Sequence, residues 1–258
     1  MPKFTDLMAE AATGAVTITE DWMQGRTTYG GLSAALCYAV AREHKPEGMT
    51  LRSAQIGFVG PAGGPVTLSA EVLRQGKSAC FVSADVRSEK GIATRALFIF
   101  GAARESSMII EDIPSPPEVP KPDAAKSFFN DGRRPGFTKN FNMRFAAGSI
   151  PMSGAEDADM TLWMRHRDEE AKGMLALLAV GDAPPPAAMA TFTEPKMISS
   201  MNWSIEMLTS EPVTEDRWYL ARHTSPQGAD GYCVQDMTMW NTSGQPMMIG
   251  RQTVAVFG

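Results

Sequence analysis

Hydrophobic positions in this chain fall into two kinds of run: blocks of helical length, and alternating stretches of strand length. Leu32-Ser33-Ala34-Ala35-Leu36-Cys37-Tyr38-Ala39-Val40-Ala41 and Leu175-Ala176-Leu177-Leu178-Ala179-Val180 are apolar on nearly every side. A helix apolar all round is buried, so both segments are predicted as central helices built on Ala and Leu propensity. Pro46 and Gly48 close the first. Gly181, with Pro184, Pro185 and Pro186 beyond it, closes the second by a usual stop signal. Asp168-Glu169-Glu170 reads as the acidic first turn of that second helix, where negative charge meets the positive end of the dipole. A shorter helix is expected from Phe4 to Ala12, and an extended piece from Gly14 to Trp22.

Strand-like runs accompany each buried helix. Leu51 to Val59, Val66 to Arg74, Ser78 to Ser88 and Ala93 to Ala102 follow the first, punctuated by Gly76 and Gly91. Phe141 to Ala147 and Leu162 to Arg165 precede the second. Met197 to Leu208, Trp218 to His223, Tyr232 to Trp240 and Met247 to Val256 follow it. The order repeats. Cys80 and Cys233, Val86 and Met239, and Gly91 and Gly244 share an offset of about 153, while Leu51 to Ile56 lies over Ile198 to Trp203 at about 147. The pattern predicts two tandem α+β units, each an antiparallel sheet wrapped around a long buried helix. Residues 1–110 and 136–258 form the units, and residues 111–135 join them. The Ile113–Pro122 part of that connector is proline-rich, can neither pair in a sheet nor continue a helix, and reads as a semi-rigid linker.

Composition narrows the function classes. A net charge of −5 with scattered Lys and Arg gives no nucleic-acid footprint. No apolar run approaches a membrane span, and the first residues lack the apolar core of a signal peptide. Cys37, Cys80 and Cys233 lie far apart without CxxC spacing, as buried small hydrophobes of a reducing compartment would. The expected location is the cytoplasm, without membrane or nucleic-acid partners.

Familiar catalytic motifs fail one by one. Gly76-Lys77-Ser78 has Glu71 where a phosphate loop needs glycine. Gly31-Leu32-Ser33-Ala34-Ala35 lacks the last glycine of a nucleophile elbow. His44, His166 and His223 have no metal-ligand spacing, and His166, within Arg165-His166-Arg167-Asp168, reads as part of a solvated turn. Asn241-Thr242-Ser243 reads as a hairpin turn. No cofactor or metal is expected, so any chemistry rests on carboxylate and amide groups acting through water. Two such groups stand out. Asp182 sits where the helix dipole disfavours an anion. At the offset of about 153, Gln252 replaces the apolar Ile99, and a buried amide without partners would cost about 1–3 kcal/mol.

Together these residues resemble the double hot-dog acyl-CoA thioesterases of the thioesterase II type. The resemblance rests on Tyr29-Gly30-Gly31 opening the first buried helix and on Val66 to Ser78, close to a family segment V-x-x-L-R-x-G-x-S with Ala70 in place of Val. It rests also on Leu175 to Asp182, on Ser199-Ser200-Met201-Asn202, and on Gly250-Arg251-Gln252. It covers almost the whole chain. It implies hydrolysis of acyl-CoA to free acid and CoA, a place in fatty acid metabolism, and a hydrolytic water held by Asp182, Ser200 and Gln252. Ser199 competes with Ser200 for this role; strand alternation lets only one of them face the site. Asn202 and Trp203 depart from the family pattern, which has Asp and His there. Tyr29, Gly30 and Gly31 are candidates for binding substrate and the oxyanion, since glycine lets the backbone approach closely and a helix N-terminus favours negative charge. The alternatives are a non-catalytic acyl-CoA or acyl-carrier binding protein of the same fold and, ranked lower, a hot-dog hydratase. Pairing of chains through exposed sheet edges stays open.

Overall fold

In the computed structural model, which describes residues 2–129 and 134–257, the chain runs in this order. Helix α1 (Phe4–Ala11), β1 (Ala15–Ile18) and a small hairpin of β2 (Met23–Gln24) and β3 (Thr27–Thr28) lead to helix α2 (Gly30–Ala41). Strands β4 (Met49–Phe58), β5 (Gly64–Gln75), β6 (Ala79–Ser88) and β7 (Gly91–Ala102) follow. Then come β8 (Lys126–Ser127), β9 (Phe141–Gly148), β10 (Asp159–His166) and helix α3 (Gly173–Gly181). The chain ends with β11 (Met197–Met207), β12 (Tyr219–Ala229), β13 (Tyr232–Asn241) and β14 (Pro246–Phe257). Among the described residues no helix is long and apolar enough to cross a membrane.

The two central helices are short rather than long, at 12 and 9 residues, and the second starts later than expected. The acidic run is not the first turn of α3. Asp168 instead accepts hydrogen bonds from the Thr5 N–H (2.9 Å), the Thr5 hydroxyl (2.8 Å) and the Glu170 N–H (3.1 Å), which hold it in a turn against α1. Gly181 ends α3 without a left-handed φ, so its reason is packing. A Cβ there would lie 2.5 Å from the Met248 methyl and 3.0 Å from the Trp203 ring. His166 is buried, not solvated: its ring lies 4.7 Å from Phe4 and 4.8 Å from Phe141, with Nε2 at 3.0 Å from the Ala176 carbonyl.

Twelve strands form one antiparallel sheet in the order β1-β5-β6-β7-β4-β11-β14-β13-β12-β10-β9-β8. The run β4-β7-β6-β5 is matched across the centre by β11-β14-β13-β12. Where the halves meet, Gln55 pairs with Ser204, Ser53 with Glu206 and Gly57 with Asn202. Such an antiparallel central pair is compatible with a two-fold relation between the halves. Both strands also bulge at the corresponding place, between Leu51 and Ser53 and between Ser200 and Asn202. The offset for this strand is therefore 149 rather than about 147. In the last strand it becomes 154. Val82 pairs with Phe98 while Gln235 pairs with Gln252, so Gln252 lies over Phe98, not Ile99. The sheet ends on β1 and β8, four and two residues long; such short edges limit pairing with other chains.

One continuous core joins both helices to the inner faces of both half-sheets. Helices α2 and α3 approach closely at one end, where a Cβ on Gly31 would sit 2.5 Å from the Ala179 carbonyl oxygen. A separate apolar cluster of Trp163, Trp218, Leu220, Trp240 and Ala125 lies under the proline-rich segment. Proline has no N–H to leave unsatisfied, and its carbonyls serve here as acceptors. The Trp163 indole donates to Pro120 (2.9 Å) and the Trp240 indole to Pro114 (3.1 Å). The expected linker is thus pinned along part of its length to β10 and β13; residues 130–133 of it lie outside the described residues.

Candidate active site

The C-terminus of α3 faces the N-terminus of α2, and Asp182 stands between them as the C-cap of α3. The backbone N–H groups of Gly30 and Gly31 face its carboxyl and act to lower its pKa. The position that looks wrong for an anion on its own helix is thus compensated by the positive end of the other. Glycine is required there. A Cβ on Gly30 would lie 2.5 Å from the Phe58 ring and 2.6 Å from Asp182 Oδ2.

Gln252, on β14 and almost fully buried, donates from Nε2 to Asp182 Oδ1. Its Oε1 accepts from the Ser200 hydroxyl (3.4 Å) and from Gln235 Nε2 (3.2 Å). Of the two serines, Ser200 makes this contact and Ser199 points to solvent. The bulge after Ser200 is tied down by Asn202, whose Oδ1 accepts from the Thr253 N–H at 2.8 Å. Trp203, the other departure from the family pattern, is buried with its indole N–H 3.2 Å from the Met237 sulfur. Asp182, Gln252, Ser200, Gly30 and Gly31 therefore meet in one place.

Gln235 belongs to this network and was not singled out from the sequence. It is 2% exposed, and its Oε1 accepts from the Ala187 N–H at 2.8 Å. With both ends engaged, it fixes the Gln252 amide so that Oε1 faces Gln235 and Nε2 faces Asp182. The signal was present: Cys233, Gln235, Met237 and Met239 alternate as buried positions of β13, and an amide within such a row needs partners.

Tyr29 stacks on Phe137 with ring centroids 4.2 Å apart, and its buried hydroxyl has no hydrogen-bond partner among the described residues. Burial, and then the charge of Asp182, raise its pKa, so it keeps its proton. Gly30 and Gly31 differ from expectation in their target, for their N–H groups are directed at Asp182 rather than left free for an oxyanion. Part of Asp182 remains open to solvent. Burial nevertheless raises its pKa from 3.8 to about 6, against the lowering effect of Gln252, Gly31 and Gly30. Such a carboxylate is mostly ionised at neutral pH and still basic enough to take a proton from water.

Comparison with known proteins places the chain in a family. The acyl-CoA thioesterase C-terminal domain matches residues 111–256, more than half of the sequence, and the N-terminal domain matches residues 18–101. The chain belongs to the acyl-CoA thioesterase family. No curated protein matches it. A hot-dog-fold protein of unknown function from Alicyclobacillus acidocaldarius is similar with a TM-score of 0.83 at 19% identity, over 95% of this chain and 92% of the other. The tesB protein of Mycobacterium avium subs paratuberculosis gives 0.79 at 15% identity, over 99% and 100%. An acyl-CoA thioesterase II from Mycobacterium marinum gives 0.73 at 16% identity, over 94% and 92%. At these identities the likeness establishes a hot-dog fold with a large antiparallel sheet.

Proposed function

We propose that this chain hydrolyses acyl-CoA to the free acid and CoA through a water held by Asp182, Gln252 and Ser200. The observation that carries the reading is the network around Gln252, in which a buried amide spends its donor on a carboxyl poised near pH 6. A thioester carbonyl is electrophilic enough for direct attack by water. Asp182 removes the proton as the O–C bond forms, a contribution of about 10²–10⁴-fold for a positioned base. Gln252 and Ser200 fix the direction of the lone pair, the positional part of the rate. Gly30 and Gly31 flank the base, and the buried Tyr29 hydroxyl, without a hydrogen-bond partner among the described residues, is left to meet the substrate. The CoA thiolate leaves as the tetrahedral intermediate collapses and takes up a proton.

We infer, too, that the chain is a double hot-dog of two tandem units, residues 1–110 and 136–258. The strand order mirrored about the β4–β11 pair and the paired bulges support this. The test is a thiol-release assay with short, medium, long and aromatic acyl-CoAs. Asp182→Ala and Gln252→Ala should each lower turnover at least ~10²-fold on whichever substrate the parent prefers. Turnover equal to the parent in both variants means that the water is held elsewhere.

A further inference from the structure

The approximate two-fold symmetry requires a counterpart to the Asp182 site at the other end of the helix pair, where α2 ends and α3 begins. A cavity of about 540 Å³ lies there, lined by Tyr38 near the end of α2, Gly173 and Met174 at the start of α3, and Met49 and Leu51 on β4. The separation from the Asp182 site is about 18 Å along α2. Its volume is that of ligand sites. The polar set is gone from this half. Phe98, Val82 and Leu51 stand where the other half has Gln252, Gln235 and Ser200, and Arg42 caps α2 where Asp182 caps α3. The Asp182–Gln252–Ser200 set thus has no counterpart in this half.

What the cavity offers is an apolar lining with a small excess of cationic side chains. Lys45, Lys172 and Arg217 line it together with Glu169 and Glu211. Glu169 is within 3.7 Å of Arg217, whereas Lys45, Lys172 and Glu211 have no ion-pair partner among the described residues, which leaves two cations to one anion. Thr50 lies beside the cavity, with its hydroxyl oxygen buried and without a hydrogen-bond partner among the described residues. An occupant that matches the apolar lining and the two unpaired lysines has an aliphatic chain and an anionic head. We propose that this cavity is a second site that binds, without hydrolysing, an acyl chain with an anionic head group, either a free fatty acid or an acyl-CoA. The inference goes beyond the hydrolytic reading and does not depend on it.

Calorimetry with decanoate and with a non-hydrolysable decanoyl-CoA thioether tests the proposal on the full chain. Val213, at the mouth and 63% exposed, can be changed to Trp without disturbing the core. Decanoate affinity should fall at least tenfold in Val213→Trp and, separately, in the double variant Lys45→Glu/Lys172→Glu. It should be retained in Asp182→Asn. Thioether that displaces decanoate from the parent, with an affinity equally sensitive to Val213→Trp, identifies acyl-CoA as the occupant; failure to displace identifies the free acid. Thiol release by the cavity variants should stay at the parent's level, so a parent without thioesterase activity would sink the hydrolytic reading and leave this one standing. Decanoate that fails to bind the parent, or binds both cavity variants as tightly as the parent, overturns the proposal.

Discussion

Changing Asp182 to Asn removes one ionisation from the place where the two helix ends meet, and its effect on stability can be worked out from the site. In the folded protein the carboxyl titrates near 6, against 3.8 in an exposed chain. The folded state therefore holds the proton more tightly than the unfolded state does. The group favours folding below about pH 4, and that advantage disappears as the pH rises through 6. A shift of about 2 units corresponds to about 3 kcal/mol, an upper limit because part of Asp182 still reaches solvent. The amide has no such titration. Asn also turns an N–H toward one of the donors around it, which costs about 1 kcal/mol at every pH. The level of the variant's stability is thus less informative than its slope. Urea unfolding of both proteins from pH 4 to pH 8 should give a difference, parent minus variant, that falls by up to about 3 kcal/mol, mostly between pH 4 and 6. The two buried histidines titrate alike in both proteins and cancel. Stability curves that run parallel over the whole range would refute the claim that burial raises this carboxyl.

Other substitutions separate the site's parts. Gly31→Ala forces a Cβ against the Ala179 carbonyl and should cost about 1–3 kcal/mol of stability, measured by denaturant unfolding. Gly30→Ala meets the Phe58 ring and the Asp182 carboxyl instead; its loss should fall on turnover more than on unfolding. Gln235→Leu frees the Gln252 amide to rotate and leaves the Ala187 N–H unpaired, so thiol release should drop about tenfold in kcat with KM little changed, on about 1–3 kcal/mol for the orphaned group. His223 is buried with neither ring nitrogen bonded among the described residues, and burial pushes its pKa down to about 4. It supports folding above about pH 6.5, and that support is lost as the pH falls toward 4. His223→Leu should therefore be less sensitive to acid unfolding over that interval, as thermal melts at pH 7 and pH 4.5 would reveal.

The elements were legible wherever hydrophobicity had one clear period. The all-apolar helices and the alternating runs of the sheet lie close to the positions expected from their patterns. The repeat was legible in order but not in register, because bulges and one longer hairpin move the offset from 149 at β4 to 153 and then 154. That drift put Gln252 over the wrong residue of the first unit. Asp168 to Glu170 looked like a helix start because charge at an N-terminus is a local rule; the contact with Thr5 that takes it into a turn spans 163 positions. The same limit applies to the site. Asp182 and Gln252 could be picked out as polar residues in apolar settings, and family resemblance joined them to Ser200. The contact of Asp182 with Gly30 and Gly31 could not be read, since it exists only when the two helices are brought end to end.

Isotope transfer in a single turnover tests direct attack by a held water more closely than any substitution. Enzyme in excess over an acyl-CoA that it turns over, in water enriched in ¹⁸O, should release free acid carrying one solvent oxygen in the first turnover. Asp182 should remain unlabelled. Unlabelled acid from that first turnover, with ¹⁸O appearing in the Asp182 carboxyl, would mean that the carboxylate itself attacks the thioester, and would contradict its role as the base.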